Sequence, residues 1–280
     1  MVRSLAAGVG AATAAGLAWG HFEAGWVRLD EVECPIARLP AELDGVRIAH
    51  LSDFHLGIPS RGKHAVRRAV EWAAEREPDL VLVSGDLLSR RRGEPLLREL
   101  MSSLPNCYAV LGNHDFGRSR DPFADSDAIF QLRNATLLLD ESRSIELRGR
   151  RVQIVGVDPR SYRRGRSRPW RFTDPGADLR ILICHFPNVL DRLPAGTFDL
   201  VLAGHLHAGQ ITLPVPSRRI PLAHPRWRYL RGFYERDGAL MHVSAGLGTT
   251  FVPLRFMARP EATELVLRPG DTPRRAPVPQ

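Results

Sequence analysis

Five short apolar runs in this chain stop abruptly, and within three positions an aspartate, asparagine or histidine follows. They read Leu51-Ser-Asp53-Phe-His55, Val83-Ser-Gly-Asp86, Leu111-Gly-Asn113-His114-Asp115, Ile183-Cys-His185 and Ala203-Gly-His205-Leu-His207. A continuous run of Val, Leu and Ile four or five residues long is what a strand covered on both faces requires. In open α/β folds, ligands gather outside the carboxyl ends of the strands. The pattern therefore restricts the chain to an α/β fold that brings all these polar groups to one edge.

The intervening segments fit that class. Residues 62–76 carry Ala65, Val66, Ala69, Val70 and Ala73 at helical spacing, with Pro78 closing the segment. Residues 95–103 form a second helix that opens on proline, and 123–133 a third. Strands are expected at 26–36, 43–51, 80–83, 107–111, 136–139, 144–147, 152–157, 180–183, 199–203, 239–245 and 263–267. The Pro-rich stretch 209–224 is expected to be a long loop over the site. No repeat or linker divides 26–268, which is expected to form one domain, followed by a disordered Pro- and Arg-rich tail at 269–280.

Residues 1–25 are set apart from this domain as a leader or membrane anchor. Positions 4–20 carry no charge, but most are Ala or Gly, and Leu5, Val9, Leu17 and Trp19 are the bulkier members. Three readings stay open: a signal anchor, a cleaved signal peptide with Ala12-Thr13-Ala14 as its small-residue site, and a flexible leader. Arg3 before the segment and Glu23 after it favour an inside amino terminus, with the rest outside the cytoplasm. Membrane association is the expectation, and a cytoplasmic location the alternative.

The formal net charge is +8, yet Lys63 is the single lysine, so 38 of the 39 basic residues are arginine. That bias, with abundant Ala, Gly and Pro, has the look of a GC-rich coding background, so basicity is weak support for nucleic-acid binding. Six arginines (160, 163, 164, 166, 168 and 171) surround Tyr162 and Trp170, a set suited to anionic lipid or phosphorylated substrate. Cys34, Cys107 and Cys184 have no paired spacing, which excludes a disulfide framework and a zinc ribbon.

Of ten histidines, five (55, 114, 185, 205 and 207) occupy the strand ends, while 21, 50, 64, 224 and 242 do not. Glycines at 85, 112 and 204 are expected to let the backbone turn sharply there. Mixed imidazole and carboxylate donors without thiolate suit Mn²⁺, Fe or Zn²⁺, and Mg²⁺ less well. The donors are too many for one ion. Two ions roughly 3.5–4 Å apart, bridged by a carboxylate, form the clamp used for in-line displacement at phosphorus.

The ordered set Asp-x-His, Gly-Asp, Gly-Asn-His-Asp, His and Gly-His-x-His resembles the calcineurin-like metallophosphoesterase family, over about residues 46–267. Leu-Ser-Asp-Phe-His-Leu-Gly, Gly-His-Leu-His-Ala-Gly-Gln and the late Arg-Pro-Glu are similar to its membrane-associated bacterial phosphodiesterases of the YkuE/YaeI type. The resemblance implies a four-layer α/β/β/α sandwich of two mixed β-sheets flanked by helices. It implies that Asp53, His55 and His207 hold one metal, that Asn113, His185 and His205 hold the other, and that Asp86 bridges them. His114 would face the leaving oxygen as acid or charge stabiliser, with Asp115 orienting its ring, and a hydroxide between two divalent ions, Mn²⁺ first, would attack phosphorus in a phosphodiester, phosphomonoester or pyrophosphate. Leu206 and Ala208 depart from the usual Thr or Ser and Gly of that turn, but neither side chain is a ligand.

The substrate stays open at this level. A lipid-linked envelope phosphodiester or pyrophosphate is one reading, with Trp170, Trp227 and Phe233 at an anionic membrane surface. A nuclease or cyclic-nucleotide phosphodiesterase is the second, because the same arginines could track phosphates. A non-catalytic binding module on the same fold is the third.

Overall fold

The computed structural model describes residues 2–116, 121, 132, 134–215, 218–223 and 228–270. In chain order the strands are β1 (Arg28–Ile36), β2 (Arg47–Leu51), β3 (Leu80–Val83), β4 (Cys107–Ala109), β5 (Ala135–Leu137), β6 (Glu141–Leu147), β7 (Arg150–Gly156), β8 (Leu179–Ile183), β9 (Leu200–Ala203), β10 (Thr212–Val215), β11 (Arg218–Pro221), β12 (Gly232–Arg236), β13 (Ala239–Val243) and β14 (Glu261–Pro269). The helices are α1 (Val2–Glu23), α2 (Gly62–Arg76), α3 (Glu94–Ser102) and α4 (Pro159–Arg163).

Two six-stranded sheets form, in the orders β1-β14-β2-β3-β4-β5 and β12-β13-β9-β8-β7-β6. Both are mixed: β2, β3, β4 and β5 run parallel, as do β7, β8, β9 and β13, while β14 is antiparallel to β2, β12 to β13 and β6 to β7. Strand alternation builds the layers. Leu80 and Leu82 point between the sheets with Ile48, Ile181, Ile183, Leu200, Leu202 and Leu240. Val81 and Val83 point the other way, onto Val66, Ala69, Val70, Leu97 and Met101 of α2 and α3. On the far side, Leu182, Val201, Met241 and Val243 are covered by Tyr162, Phe186, Val189 and Leu190. That fourth layer is thin, made of α4 and a 3-10 turn at Pro187–Arg192. Each fully buried Leu or Val contributes about 1.5–3 kcal/mol, which explains why these runs tolerate no polar interruption before the site.

Several expectations need amending. The stretch expected to be a long loop at 209–224 contains the antiparallel pair β10–β11, with Thr212 opposite Pro221. Its prolines are compatible with strand because both members of a two-stranded ribbon are edge strands. The strand β12 adds to the expected strands, since residues 232–236 show no clean apolar alternation. The helix expected at 123–133 falls almost entirely outside the described residues, as does the tail from 271. Strand β14 runs on to Pro269, and Gly270 N–H donates to Ile36 O at 3.3 Å.

The segment expected to be a leader contains α1, whose last turn is bonded to the rest of the chain. Residues 7–19 are exposed, but Glu23 is buried and accepts the N–H groups of Met257 (3.0 Å) and Ala258 (2.7 Å). Arg255 N–H donates to Gly20 O at 3.0 Å. Among the described residues no helix is long and apolar enough to cross a membrane.

Candidate metal centre

The carboxyl ends of β2, β3, β4, β8 and β9 converge on one edge between the two sheets. Backbone bonds tie the ends together: Asp53 N–H reaches Gly85 O (2.9 Å), His55 N–H reaches Asp86 O (3.0 Å), and Gly204 N–H reaches His185 O (3.2 Å). Five non-glycine residues at this edge have φ in the left-handed region: Asp53 (54°), His55 (46°), Asp86 (53°), His205 (78°) and His207 (50°). Such backbone costs about 1 kcal/mol or more per residue and concentrates where geometry serves a site. Ala208 also holds φ 51°.

Among the described residues, three groups of donor atoms lie close enough to hold an ion: Asp53/His55/His207, Asp86/His185/His205 and His55/Asp86/His114. His55 Nε2 and His207 Nε2 are 3.1 Å apart, and His205 Nδ1 and His185 Nε2 are 3.0 Å apart. Asp53 Oδ1 is 3.8 Å from His55 Nε2 and 3.5 Å from His207 Nε2. Asp86 Oδ2 stands between the groups, 3.5 Å from His55 Nε2 and 3.2 Å from His185 Nε2, while Asp86 Oδ1 accepts His114 N–H at 2.8 Å. The far ring nitrogens are occupied: His55 Nδ1 by Ser89 Oγ (2.8 Å), His185 Nδ1 by Ser84 O (2.9 Å) and His207 Nδ1 by Arg255 Nη2 (3.2 Å). Such partners aim the opposite nitrogen into the site. Asn113 Oδ1 is buried with no hydrogen-bond partner. An orphaned buried acceptor beside gathered imidazole and carboxylate donors is what a cation would complete.

Burial pushes the Asp53 and Asp86 carboxyls up, but the neighbouring imidazoles outweigh it and hold both below the usual range. Burial likewise depresses His185, yet the Asp86 carboxylate wins and raises it to about 9. Burial lowers His114 to about 4. Asp115 is raised to about 7, by burial first and then by the charge of Asp86.

Three expectations are corrected by this geometry. Asp115 does not orient the His114 ring: its Oδ1 accepts Leu88 N–H and its Oδ2 accepts Gly112 N–H, both at 2.8 Å, so it braces the loops after β3 and β4. Those amides at sharp chain reversals lack strand partners, and a carboxylate satisfies two at once. Of the three glycines expected to turn the backbone, only Gly85 has positive φ (95°); Gly112 and Gly204 are required for room. A Cβ on Gly112 would collide with Asp86 Oδ1, and one on Gly204 with Ser52 Oγ and Asp53 Oδ2. The aromatic residues assigned to a membrane surface pack inward: Phe233 against the inter-sheet core and Trp170 against the outer layer, while Trp227 lies outside the described residues.

Sequence reasoning missed Arg255. Its guanidinium is fully buried and donates to the carbonyls of Ala245, Gly246, Gly248 and Ala258 as well as facing His207. Among so many arginines nothing in the sequence marks this one. Arg255→Leu strands several carbonyls without donors and is expected to cost about 3 kcal/mol or more. Thermal unfolding of the variant beside the parent protein checks this.

The calcineurin-like phosphoesterase family model matches residues 46–209, and the chain belongs to that family. It is therefore a hydrolase acting on phosphate esters, and the family together with the imidazole and carboxylate cluster indicates divalent metal ions. Among its relatives is a zebrafish (Danio rerio) transmembrane protein with metallophosphoesterase domain, 30% identical over 85% of this chain and 56% of that protein. The uncharacterised metallophosphoesterase YkuE of Bacillus subtilis is 27% identical over 96% of this chain and 95% of its own. The phosphodiesterase YaeI of Escherichia coli is 24% identical over 91% of this chain and 94% of its own.

Proposed function

We propose that this chain is a dinuclear metallophosphoesterase that cleaves phosphodiester or pyrophosphate bonds at a membrane surface. Asp53, His55 and His207 hold one ion, Asn113, His185 and His205 hold the second, and Asp86 bridges them. The observation that carries this reading is the place of Asp86 Oδ2, within 3.5 Å of an imidazole from each group. The donor set favours Mn²⁺, with Fe or Zn²⁺ as alternatives. When bound, such ions polarise phosphoryl oxygen and ionise water near neutral pH.

The residues do the remaining work. His114, at about 4, is neutral near pH 7 and donates a hydrogen bond to the leaving oxygen, stabilising its charge. His114→Ala is expected to cut turnover by about a hundredfold or more while two ions stay bound. Metal analysis beside rate measurement checks it, and loss of an ion would make His114 a ligand instead. His185, at about 9, must yield a proton before its Nε2 can ligate, so ion uptake below that pH releases protons and weakens as pH falls. Titration calorimetry with Mn²⁺ in buffers of different ionisation enthalpy reads that proton count.

A cavity of about 220 Å³ beside Asn113 is lined by Phe116, Pro159, Arg160, Arg163 and Arg164. Arg160 is paired with Asp158 at 2.7 Å, and the charge of Arg163 and Arg164 beside it suits a substrate that carries a second anionic group next to the scissile bond. The membrane reading is supported by the exposed leader helix and by Trp19, Phe22 and Trp26, which cluster at 5.5–6.2 Å with solvent-facing rings. Arg259 stacks on Trp26 at 3.7 Å. Aromatic rings beside arginine are the composition of an interfacial anchor.

The deciding experiment is a screen of phosphomonoesters, phosphodiesters and lipid-linked pyrophosphates against several divalent metals. Flotation with anionic but not neutral liposomes supports the membrane reading. Tight, salt-sensitive binding of single-stranded DNA would replace it with a nuclease.

A further inference from the structure

Two histidines away from the strand ends, His50 and His242, open a buried hydrogen-bond chain that ends on Asp53. Strand alternation sets their place: His50 follows Ile48 on β2 and His242 follows Leu240 on β13, so both face the inter-sheet layer at its end nearest the site. His242 Nδ1 lies 2.8 Å from His50 Nδ1, and His50 Nε2 lies 2.9 Å from Ser84 Oγ. Ser84 Oγ is 2.7 Å from Ser52 Oγ, which is 2.5 Å from Asp53 Oδ2. Four of the five residues are fully buried and His242 is 3% exposed. Apolar side chains could fill this interior, and polar groups there are costly unless every one is satisfied.

The proton positions follow from the end of the chain. An ionised Asp53 only accepts, so the Ser52 hydroxyl donates to it. Ser84 then donates to Ser52 and accepts from His50 Nε2–H. A neutral His50 with its proton on Nε2 leaves Nδ1 as acceptor, so His242 Nδ1–H donates to it. Burial keeps both rings neutral: it lowers His50 well below its ordinary value, and it lowers His242 to about 3, with Arg231 adding. Every donor in the line points toward Asp53.

We infer that this relay from the second sheet is a positioning device for Asp53, with His242, His50, Ser84 and Ser52 as positioning residues for one of the two ions. The relay engages Oδ2, and Oδ1 is thereby turned to His55 and His207. The inference rests on the reading of Asp53 as a ligand to the ion shared with those imidazoles. Its reach is selective at the ligand atoms, because the relay meets the Asn113/His185/His205 group only away from them, through the Ser84 carbonyl on His185 Nδ1 and the His205 amide on Asp53.

The test is a Mn²⁺ titration of the full chain, followed by electron paramagnetic resonance of the free ion, in the parent protein and three variants. His50→Phe keeps the ring volume and removes the donor to Ser84. His50→Gln restores an N–H near the Nε2 position. Ser52→Ala deletes the last donor with the smallest change in packing. His50→Phe and Ser52→Ala are expected to weaken one ion by about tenfold to a hundredfold, the range for groups that orient a ligand, and to leave the other as in the parent. His50→Gln is expected to recover most of that loss. Equal weakening of both ions, unchanged binding in His50→Phe and Ser52→Ala, or a Gln variant as impaired as the Phe variant would each overturn the relay. A parent protein that binds no pair of Mn²⁺ ions would overturn the dinuclear reading itself, and the relay with it.

Discussion

Asp86→Asn is expected to lower turnover of bis-p-nitrophenyl phosphate with Mn²⁺ by on the order of a thousandfold, without unfolding the protein. Asp86 Oδ1 accepts His114 N–H at 2.8 Å, and Asp86 Oδ2 faces His55 and His185 at 3.5 and 3.2 Å. An amide of the same shape can keep the first bond with its oxygen. Its NH₂ then stands where Oδ2 stood, and an uncharged donor cannot ligate a cation or bridge two. The folded state loses little, because the backbone bond and the volume both survive. The measurement pairs steady-state rates with metal content and thermal unfolding. Surviving turnover at full metal occupancy would refute the bridging role.

Gly204→Ala is the second large effect, and it comes from volume alone. The new methyl group would overlap Ser52 Oγ and Asp53 Oδ2, both fully buried and hydrogen-bonded to each other at 2.5 Å. Neither can retreat, because Ser52 is held from behind by Ser84 Oγ at 2.7 Å and Asp53 by the His205 amide at 3.1 Å. Overpacking of this kind costs about 1–3 kcal/mol. In a domain of this size each kcal/mol lowers the unfolding midpoint by roughly 2–4 °C. The functional loss is expected to exceed the stability loss, since the displaced atoms are those that aim Asp53. Gly16→Ala is the control: no atom lies within 4 Å of its added methyl group, and it is expected to change neither metal content nor turnover.

The comparison of these two positions shows where a sequence is readable. Asp86 follows Leu80-Val-Leu-Val83 at once, so a strand-end carboxylate can be recognised from local order. The apolar runs also mark both sheets, because an alternation that buries Leu80 and Leu82 on one face and Val81 and Val83 on the other is written residue by residue. The role of Gly204 is of another kind. Its neighbours Ser52 and Asp53 stand some 150 positions earlier, and nothing near 204 records them. Likewise Asp115 stands next to His114 in sequence, yet its oxygens serve the amides of Leu88 and Gly112.

By itself, then, the sequence determined the class of fold, the strand ends that carry Asp53, His55, Asp86, Asn113, His114, His185, His205 and His207, and the donor chemistry of the centre. These are local properties: strand periodicity, and side-chain donor type next to a strand terminus. Tertiary structure alone decided why Gly112 and Gly204 must lack a side chain, and which distant groups hold the imidazoles and carboxylates in place. Arg255 meets His207, Glu23 of the leader caps the loop that carries Arg255, and His242 reaches Asp53 across both sheets. Those contacts join residues of large sequence separation through the packing of two sheets. Their physical content is distance, and distance between remote residues is fixed only when the chain has folded.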